Sequence, residues 1–356
     1  MLFEALPLEK TSDSGDLERA HLRRLRGALF TLCASLLTGC SEWQSALAPA
    51  GPYAGEIAAL FWVFLGVCTL IWILVVVALI VGAFRRREPI PDPLQVDARR
   101  EHQAGRVILA CVSATVIVLL AFTFLSFFAQ RNLWAEQREA LTIGVTGHQW
   151  WWEVEYQDPD PTQTLTTANE IHIPVDQPII VQLDTGDVIH SFWVPSLAGK
   201  MDLISGHTNE TRLIASRPGV YRGQCAEFCG LQHANMAFLV VASPPDEFAL
   251  WREQQSKPAP EPSNPASERG RKIFISRNCM LCHTVRGTAA NGKVGPDLTH
   301  VASRRTLAAG TTPLAPGYLG GWLSDPQHVK PGNKMPWPEL RADEVAPLVT
   351  YLMSLR

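Results

Sequence analysis

The side chains best suited to chemistry lie in Cys225-Ala226-Glu227-Phe228-Cys229-Gly230-Leu231-Gln232-His233-Ala234-Asn235-Met236, where two thiols, an imidazole and a thioether fall within twelve residues. These are soft and borderline donors, which bind copper or zinc rather than magnesium or calcium. A bare Cys-x3-Cys outside the cytoplasm reads equally well as a disulfide. This pair is not bare. His233 and Met236 follow Cys229 at +4 and +7, and His190 sits upstream in Asp187-Val188-Ile189-His190-Ser191-Phe192-Trp193, where an apolar strand would otherwise place a hydrophobe. The donor set also allows a closed Cys2His2 zinc site, redox-silent and structural. Met236 argues for copper, because a thioether is a weak axial ligand in electron-transfer copper sites and an unusual one for zinc.

A second cluster is Cys279-Met280-Leu281-Cys282-His283. C-x-x-C-H attaches c-type haem: two thioethers fix the vinyl groups and the adjacent His supplies the proximal nitrogen. A thioredoxin-like C-x-x-C competes with this reading, but no βαβ pattern surrounds the motif. Asn333-Lys334-Met335-Pro336 offers the distal thioether, since Met/His ligation raises a haem potential to that of an electron carrier. His300 and His328 read as bystanders.

The pattern C-x-E-x-x-C-G-x-x-H-x-x-M with an upstream His resembles the binuclear CuA motif of cytochrome c oxidase subunit II. The resemblance implies that Cys225 and Cys229 bridge two coppers, that His190 and His233 terminate them, and that Met236 and the backbone carbonyl of Glu227 complete the shells. It extends to Gly147-His148-Gln149-Trp150-Trp151-Trp152-Glu153-Val154-Glu155-Tyr156, where Trp150 falls at the position through which electrons enter from cytochrome c. Three consecutive Trp cannot all face one side of a strand, so at least one is exposed or at an interface. The segment Pro195 to Asp202 also matches and is expected to face the catalytic subunit. There the Glu227 side chain can reach a magnesium. In the C-terminal part, Gly295-Pro296-Asp297-Leu298 resembles the cytochrome c loop whose Pro carbonyl, here that of Pro296, orients the haem histidine.

These sites need elements to hold them. From Leu141 to Ala242, short alternating or β-branched runs are separated by Pro, Gly, Asp and Asn turns, the signature of a sandwich or barrel. We expect an antiparallel Greek-key barrel of cupredoxin type over residues 137–245, with His190 at a strand end and the Cys225 to Met236 loop at the same rim. Residues 254–267, rich in Pro, Ser, Glu and Gln, read as a linker. Residues 268–356 read as a small all-α class I cytochrome c domain, closed by a helix from Ala342 to Ser354.

Ahead of the barrel, residues 57–84 and 107–129 each exceed the roughly 20 apolar residues needed to cross a bilayer. Six arginines (85, 86, 87, 99, 100 and 106) lie between or just inside these runs, whereas Cys40 to Glu56 has no Lys or Arg. The positive-inside rule therefore puts the loop 85–106 in the cytoplasm and makes the pair a hairpin with both ends outside. Residues 1–39 have the layout of a secretory signal peptide, with Arg23, Arg24 and Arg26 ahead of a short apolar run. Leu37-Thr38-Gly39-Cys40 resembles the bacterial lipobox, which predicts a mature chain starting at a lipid-bearing Cys40, followed by a short periplasmic segment, 40–56. In the resembled family a Glu at the start of the second span admits protons; Glu101 is the nearest candidate, and a solvated loop charge is the competing reading.

Composition agrees. The chain of 356 residues is 47% hydrophobic and 18% charged, enough for several domains including membrane spans, and its net charge of -3 gives no case for nucleic acid. The eight Cys divide between the two motifs, the apolar runs (Cys68, Cys111) and the N-terminal segment (Cys33, Cys40), leaving no disulfide framework. The expectation is a multidomain protein of the bacterial inner membrane with two spans, its copper and haem domains on the periplasmic side. It is read as the electron-accepting subunit of a proton-translocating haem-copper oxidase. Its partners would be the catalytic subunit I, other oxidase subunits, and an upstream cytochrome complex or soluble cytochrome c. A nitric oxide reductase subunit and a copper-delivery assembly protein are the alternatives.

Overall fold

The computed structural model describes residues 44–85, 97–133, 140–160 and 163–356. The signal segment and the Cys40 lipobox lie outside the described residues.

Two long helices open the described chain, α1 (Pro52–Phe84) and α2 (Ala98–Leu133). Pro52 at the first helical position sets α1 going, where a missing N–H costs nothing. Each rises 1.5 Å per residue, so α1 alone spans about 50 Å, beyond a hydrocarbon core of about 30 Å. Both are long and apolar enough to cross a membrane, and their apolar windows are not buried inside the protein. They begin earlier than residues 57 and 107 because their polar flanks, Pro52 to Glu56 and Ala98 to Arg106, continue the same helices. The start of α1 is fastened to the following domain: Ala50 N donates to Ser196 O at 2.7 Å, Ala54 N to Leu197 O at 3.1 Å, and Ser216 N to Ala50 O at 2.8 Å.

That domain is a sandwich of two five-stranded sheets. The first orders β3 (Leu165–Ala168), β2 (Trp151–Tyr156), β1 (Leu141–His148), β5 (Ile179–Thr185) and β8 (Asn209–Leu213). The second orders β4 (Glu170–Pro174), β10 (Ala237–Ser243), β9 (Gly219–Cys225), β6 (His190–Trp193) and β7 (Met201–Leu203). Alternation drives the layers: in β1, Ile143, Val145 and Gly147 are buried while their neighbours face outward. Trp152, Phe192 and Phe238 meet in the core, with Trp152 edge-on to both phenyl rings. The pairing is not purely antiparallel as expected, since β1 runs parallel to β5 and β10 parallel to β4. This is how a two-sheet fold closes when consecutive strands cross between layers.

After β10, helix α3 (Pro245–Ser256) lays Phe248 and Trp251 against the sandwich, with the Trp251 ring stacked on His172 at 4.1 Å. The expected linker is therefore shorter: α3 continues through Ser256, and α4 (Pro265–Ser276) begins before residue 268. The coil between them is pinned rather than free, with Ala259 N bonded to Arg286 O at 2.9 Å and His300 Nε2 within 3.0 Å of Lys257 O. His300 is thus a structural residue.

The C-terminal domain is built on α4 crossing the last helix, α7 (Ala342–Ser354), with the shorter α5 (Pro316–Ser324) and α6 (Pro326–Val329) completing it. Asn264 caps α4 by accepting from Ser267 N. Gly270 permits the crossing, because a Cβ there would lie 2.1 Å from Pro347 O. Phe274 and Tyr351 meet edge to face in a separate core with Ile273, Leu348 and Leu352. The last helix has the expected bounds.

Candidate copper and haem sites

The copper candidates converge because β6 and β9 are neighbours, with Phe192 opposite Cys225. His190 opens β6, Cys225 ends β9, and the loop returning to β10 carries Cys229, His233 and Met236 past the same rim. Cys225 Sγ lies 3.7 Å from Cys229 Sγ, 3.9 Å from His190 Nδ1 and 3.1 Å from Glu227 O. Cys229 Sγ lies 3.6 Å from His233 Nδ1 and 3.8 Å from Met236 Sδ. The two thiols are free, well beyond a disulfide bond length of about 2.05 Å. His190 and both cysteines are buried, with their donor atoms within 4.8 Å of one another.

The protonation chemistry suits a cation. Cys225 is pulled down to about 3, foremost by its hydrogen bond with Cys229, with His190 and the backbone N–H of Ser191 helping against the effect of burial. Cys229 moves the other way, raised by that same bond and by burial. The pair parts readily with one proton and holds the second, which bound copper would displace. His190 Nε2 donates to Asp187 Oδ1 at 2.8 Å, leaving Nδ1 with its lone pair toward the sulfurs. Burial pushes the Asp187 carboxyl up, but bonds from Lys334, His190 and the backbone N–H groups of Gln149 and Val188 outweigh it and hold the group well below its usual range. The donor set and its geometry fit a copper pair.

The three tryptophans part company. Trp152 is in the core; Trp151 stacks on His148 at 4.6 Å; Trp150 is 9% exposed and donates Nε1–H to Cys229 O at 2.9 Å. Gln149 Nε2 donates to the same carbonyl at 2.9 Å. Trp150 is therefore bonded directly to the backbone of a candidate ligand.

In the C-terminal domain, His283 Nδ1 donates to Pro296 O at 2.8 Å, which leaves the Nε2 lone pair available to a metal. Burial keeps the ring below its ordinary pKa, against the effect of that bond, so it stays in the neutral form that ligates iron. Cys279, in a single helical turn ahead of His283, and Met335 both pack on the domain core. The Met335 loop is set by Met335 N donating to Asn333 Oδ1 at 2.9 Å and Gln327 Nε2 donating to Met335 O at 3.1 Å. The imidazole, thioether and paired thiols fit a c-type haem.

Two further candidates stay apart from this chemistry. The Glu227 carboxylate is half-exposed, 3.5 Å from Lys200 Nζ, which also bonds Asp202 at 3.1 Å. Glu101 is exposed in the first turn of α2, bordered by His102, Gly105, Arg106 and Leu109 of its own helix. Sequence reasoning did not single out Asp187, Gln149, Lys330 or Lys334. Asp187 stood three residues before His190, the reach of a local carboxylate on a ligand's free nitrogen, and was the one legible signal among them.

Two apolar spans, a sandwich with a thiolate-imidazole rim and a helical domain with C-x-x-C-H together define a membrane-anchored redox protein. Residues 141–243 match the family described as Cytochrome C oxidase subunit II, periplasmic domain, and residues 267–356 match the family described as Cytochrome c. The cytochrome c oxidase subunit 2 of Alkalihalophilus pseudofirmus is 33% identical over 90% of this chain and 94% of its own length. That of Bacillus sp. (strain PS3) is 31% identical over 92% of this chain and 96% of its own. The periplasmic domain of subunit II of cytochrome oxidase of Bradyrhizobium japonicum, a crystal structure, is 35% identical over 33% of this chain and 95% of that chain, with a TM-score of 0.31. The chain belongs to the cytochrome c oxidase subunit II family, as a haem-copper oxidase subunit extended by a C-terminal cytochrome c domain.

Proposed function

We propose that this chain is a two-centre electron relay, receiving electrons at its own cytochrome c domain and passing them through a copper pair to the catalytic subunit. The observation that carries the reading is the convergence of Cys225, Cys229, His190, His233, Met236 and the Glu227 carbonyl at one rim, with the haem-type domain seated against Trp150. When bound, copper and haem supply one-electron chemistry with little change in geometry. The chain's own residues do the rest. Cys225, Cys229, His190, His233, Met236 and the Glu227 carbonyl would hold the copper, the two thiolates as its soft anionic ligands. Asp187 fixes the His190 tautomer, and Pro296 does the same for His283, which with Met335 would hold the haem iron. Cys279 and Cys282 would attach the haem as thioethers, and the Trp150 indole, bonded to Cys229 O, would link the haem-type domain to the ligand loop.

The order of the elements suits this arrangement: helices α1 and α2 come first, then the sandwich, then the helical domain opened by α4. The hairpin places the start of α1 and the end of α2 on the sandwich side, in keeping with a bacterial inner membrane and a periplasmic relay. Subunit I and the other oxidase subunits then receive the electron, and an upstream cytochrome complex or soluble cytochrome c supplies it. A magnesium at Glu227 would need ligands from the partner subunit, because Lys200 already pairs that carboxylate. Membership of the oxidase family favours this reading over a nitric oxide reductase subunit or a copper-delivery protein.

Metal analysis with an optical spectrum of the purified oxidase tests the proposal. We expect copper in about twofold excess over haem c on this subunit, with near-infrared absorption from a bridged pair, as soft thiolate ligation implies. A zinc-filled or copper-free subunit carrying the haem c band would contradict it.

A further inference from the structure

We propose that Lys330 and Lys334 form a clasp that holds the haem-type domain closed over Trp150, making Lys330 a positioning residue for electron transfer and removing that face from reach of a second donor. The proposal rests on the relay reading for its functional meaning, and on geometry for the clasp itself.

Lys330 is 2% exposed, and its Nζ donates to three backbone carbonyls: Trp150 O at 2.8 Å, Asn235 O at 2.7 Å and Ala308 O at 2.9 Å. Burial lowers the Lys330 pKa to about 7, and its ammonium form has three N–H donors, all of which find a carbonyl here. Two of the acceptors belong to the sandwich, one in the aromatic run and one in the candidate ligand loop; the third belongs to the C-terminal domain. A lysine so deeply buried is rare unless its charge is matched. Here the acceptors span two domains, so undocking would break two of the three bonds and leave water to solvate the Lys330 amine.

The flanking residues continue the same contact. Gln232 Nε2 donates to Pro331 O at 2.8 Å, and Gly332 passes over Trp150 closely enough that a Cβ would sit 3.7 Å from the indole. Lys334 Nζ bonds Asp187 Oδ2 at 2.8 Å, while Asp187 Oδ1 holds His190. A hydrogen-bonded line therefore joins a candidate copper ligand to the residue next to Met335.

The other side of the contact is strained. Ala308 and Ala309 take left-handed φ values of 54° and 58°, where an alanine Cβ crowds the following carbonyl. Both strained carbonyls are used at the interface: Ala308 O accepts from Lys330, and Ala309 O accepts from Ala237 N at 2.9 Å. Such conformations persist where surrounding contacts over-determine them. Farther along, Arg305 N donates to Glu170 Oε2 at 3.0 Å. The domain is thus gripped at several points, with the buried lysine at the centre.

Hydroxyl-radical footprinting of the purified oxidase, read by mass spectrometry at Trp150, tests the clasp. Lys330→Met should raise Trp150 oxidation about tenfold, the scale expected when a buried charged hydrogen-bond donor is lost. Lys334→Met should raise it less, about threefold, because its bridge is more exposed. The haem c and near-infrared copper bands should be unchanged in both, and haem-to-copper transfer should slow in parallel. Trp150 as protected in both variants as in the parent would overturn the proposal. If Lys330→Met loses its haem band through misfolding, Lys334→Met decides alone, with an unaltered Trp150 counting against the clasp. A parent oxidase without copper would sink the relay reading while leaving the Trp150 measurement to judge the clasp.

Discussion

Replacing either Cys225 or Cys229 with serine should empty the copper site, abolishing the near-infrared absorption while the haem c band stays. The thiol pair works as a unit. Cys225 ionises easily foremost because Cys229 donates toward its sulfur, so removing Cys229 withdraws the largest support of that thiolate. Removing Cys225 leaves Cys229 with a raised pKa and no bridging partner, with Met236 and His233 close by but no second soft anion. A serine hydroxyl has neither the acidity nor the softness to replace either sulfur. The haem domain should be untouched, since Cys279 and Met335 pack on a separate core. Copper content preserved in both variants would refute the site.

The second large effect is expected at His283. His283→Ala removes the proximal nitrogen and the hydrogen bond to the Pro296 carbonyl that aims it. Haem attached through Cys279 and Cys282 would then lose its low-spin spectrum, and turnover driven through the tethered domain should fall at least about 100-fold, since even loss of an outer-shell partner costs 10–100-fold. Stopped-flow reduction checks this. Turnover within a few-fold of the parent would mean that electrons reach copper by another route.

Those two sites were legible because their chemistry resides in rare residue types at short spacing, which no fold is needed to read. The last helix was legible too, from its apolar period and the Asp343 and Glu344 of its first turn. Other elements were not. β3 and β7 are four and three residues long, and β9 carries Gly219 and Gly223 where a strand signal needs side chains. The parallel pairings leave no mark in any single strand. The end of α3 was misread because Gln254, Gln255 and Ser256 suit a helix as well as a linker.

The domain contact was hidden for a deeper reason. Lys330 is recognised by the carbonyls of Trp150, Asn235 and Ala308, and a carbonyl has no residue code. In Lys330-Pro331-Gly332-Asn333-Lys334 the sequence shows a basic turn that reads as solvated. Only the fold reveals that one of its lysines is among the most buried side chains of the protein.

On the proposed reading, the haem and copper domains of one chain form a single relay. Flash reduction of the haem domain, followed at the copper absorption over a range of oxidase dilutions, tests it most directly. Intramolecular transfer across a tethered, docked contact predicts a rate independent of concentration, because tethering replaces encounter by a fixed effective concentration of order mM. A rate that falls in proportion to dilution would contradict it, showing that each haem domain serves neighbouring molecules rather than its own copper site.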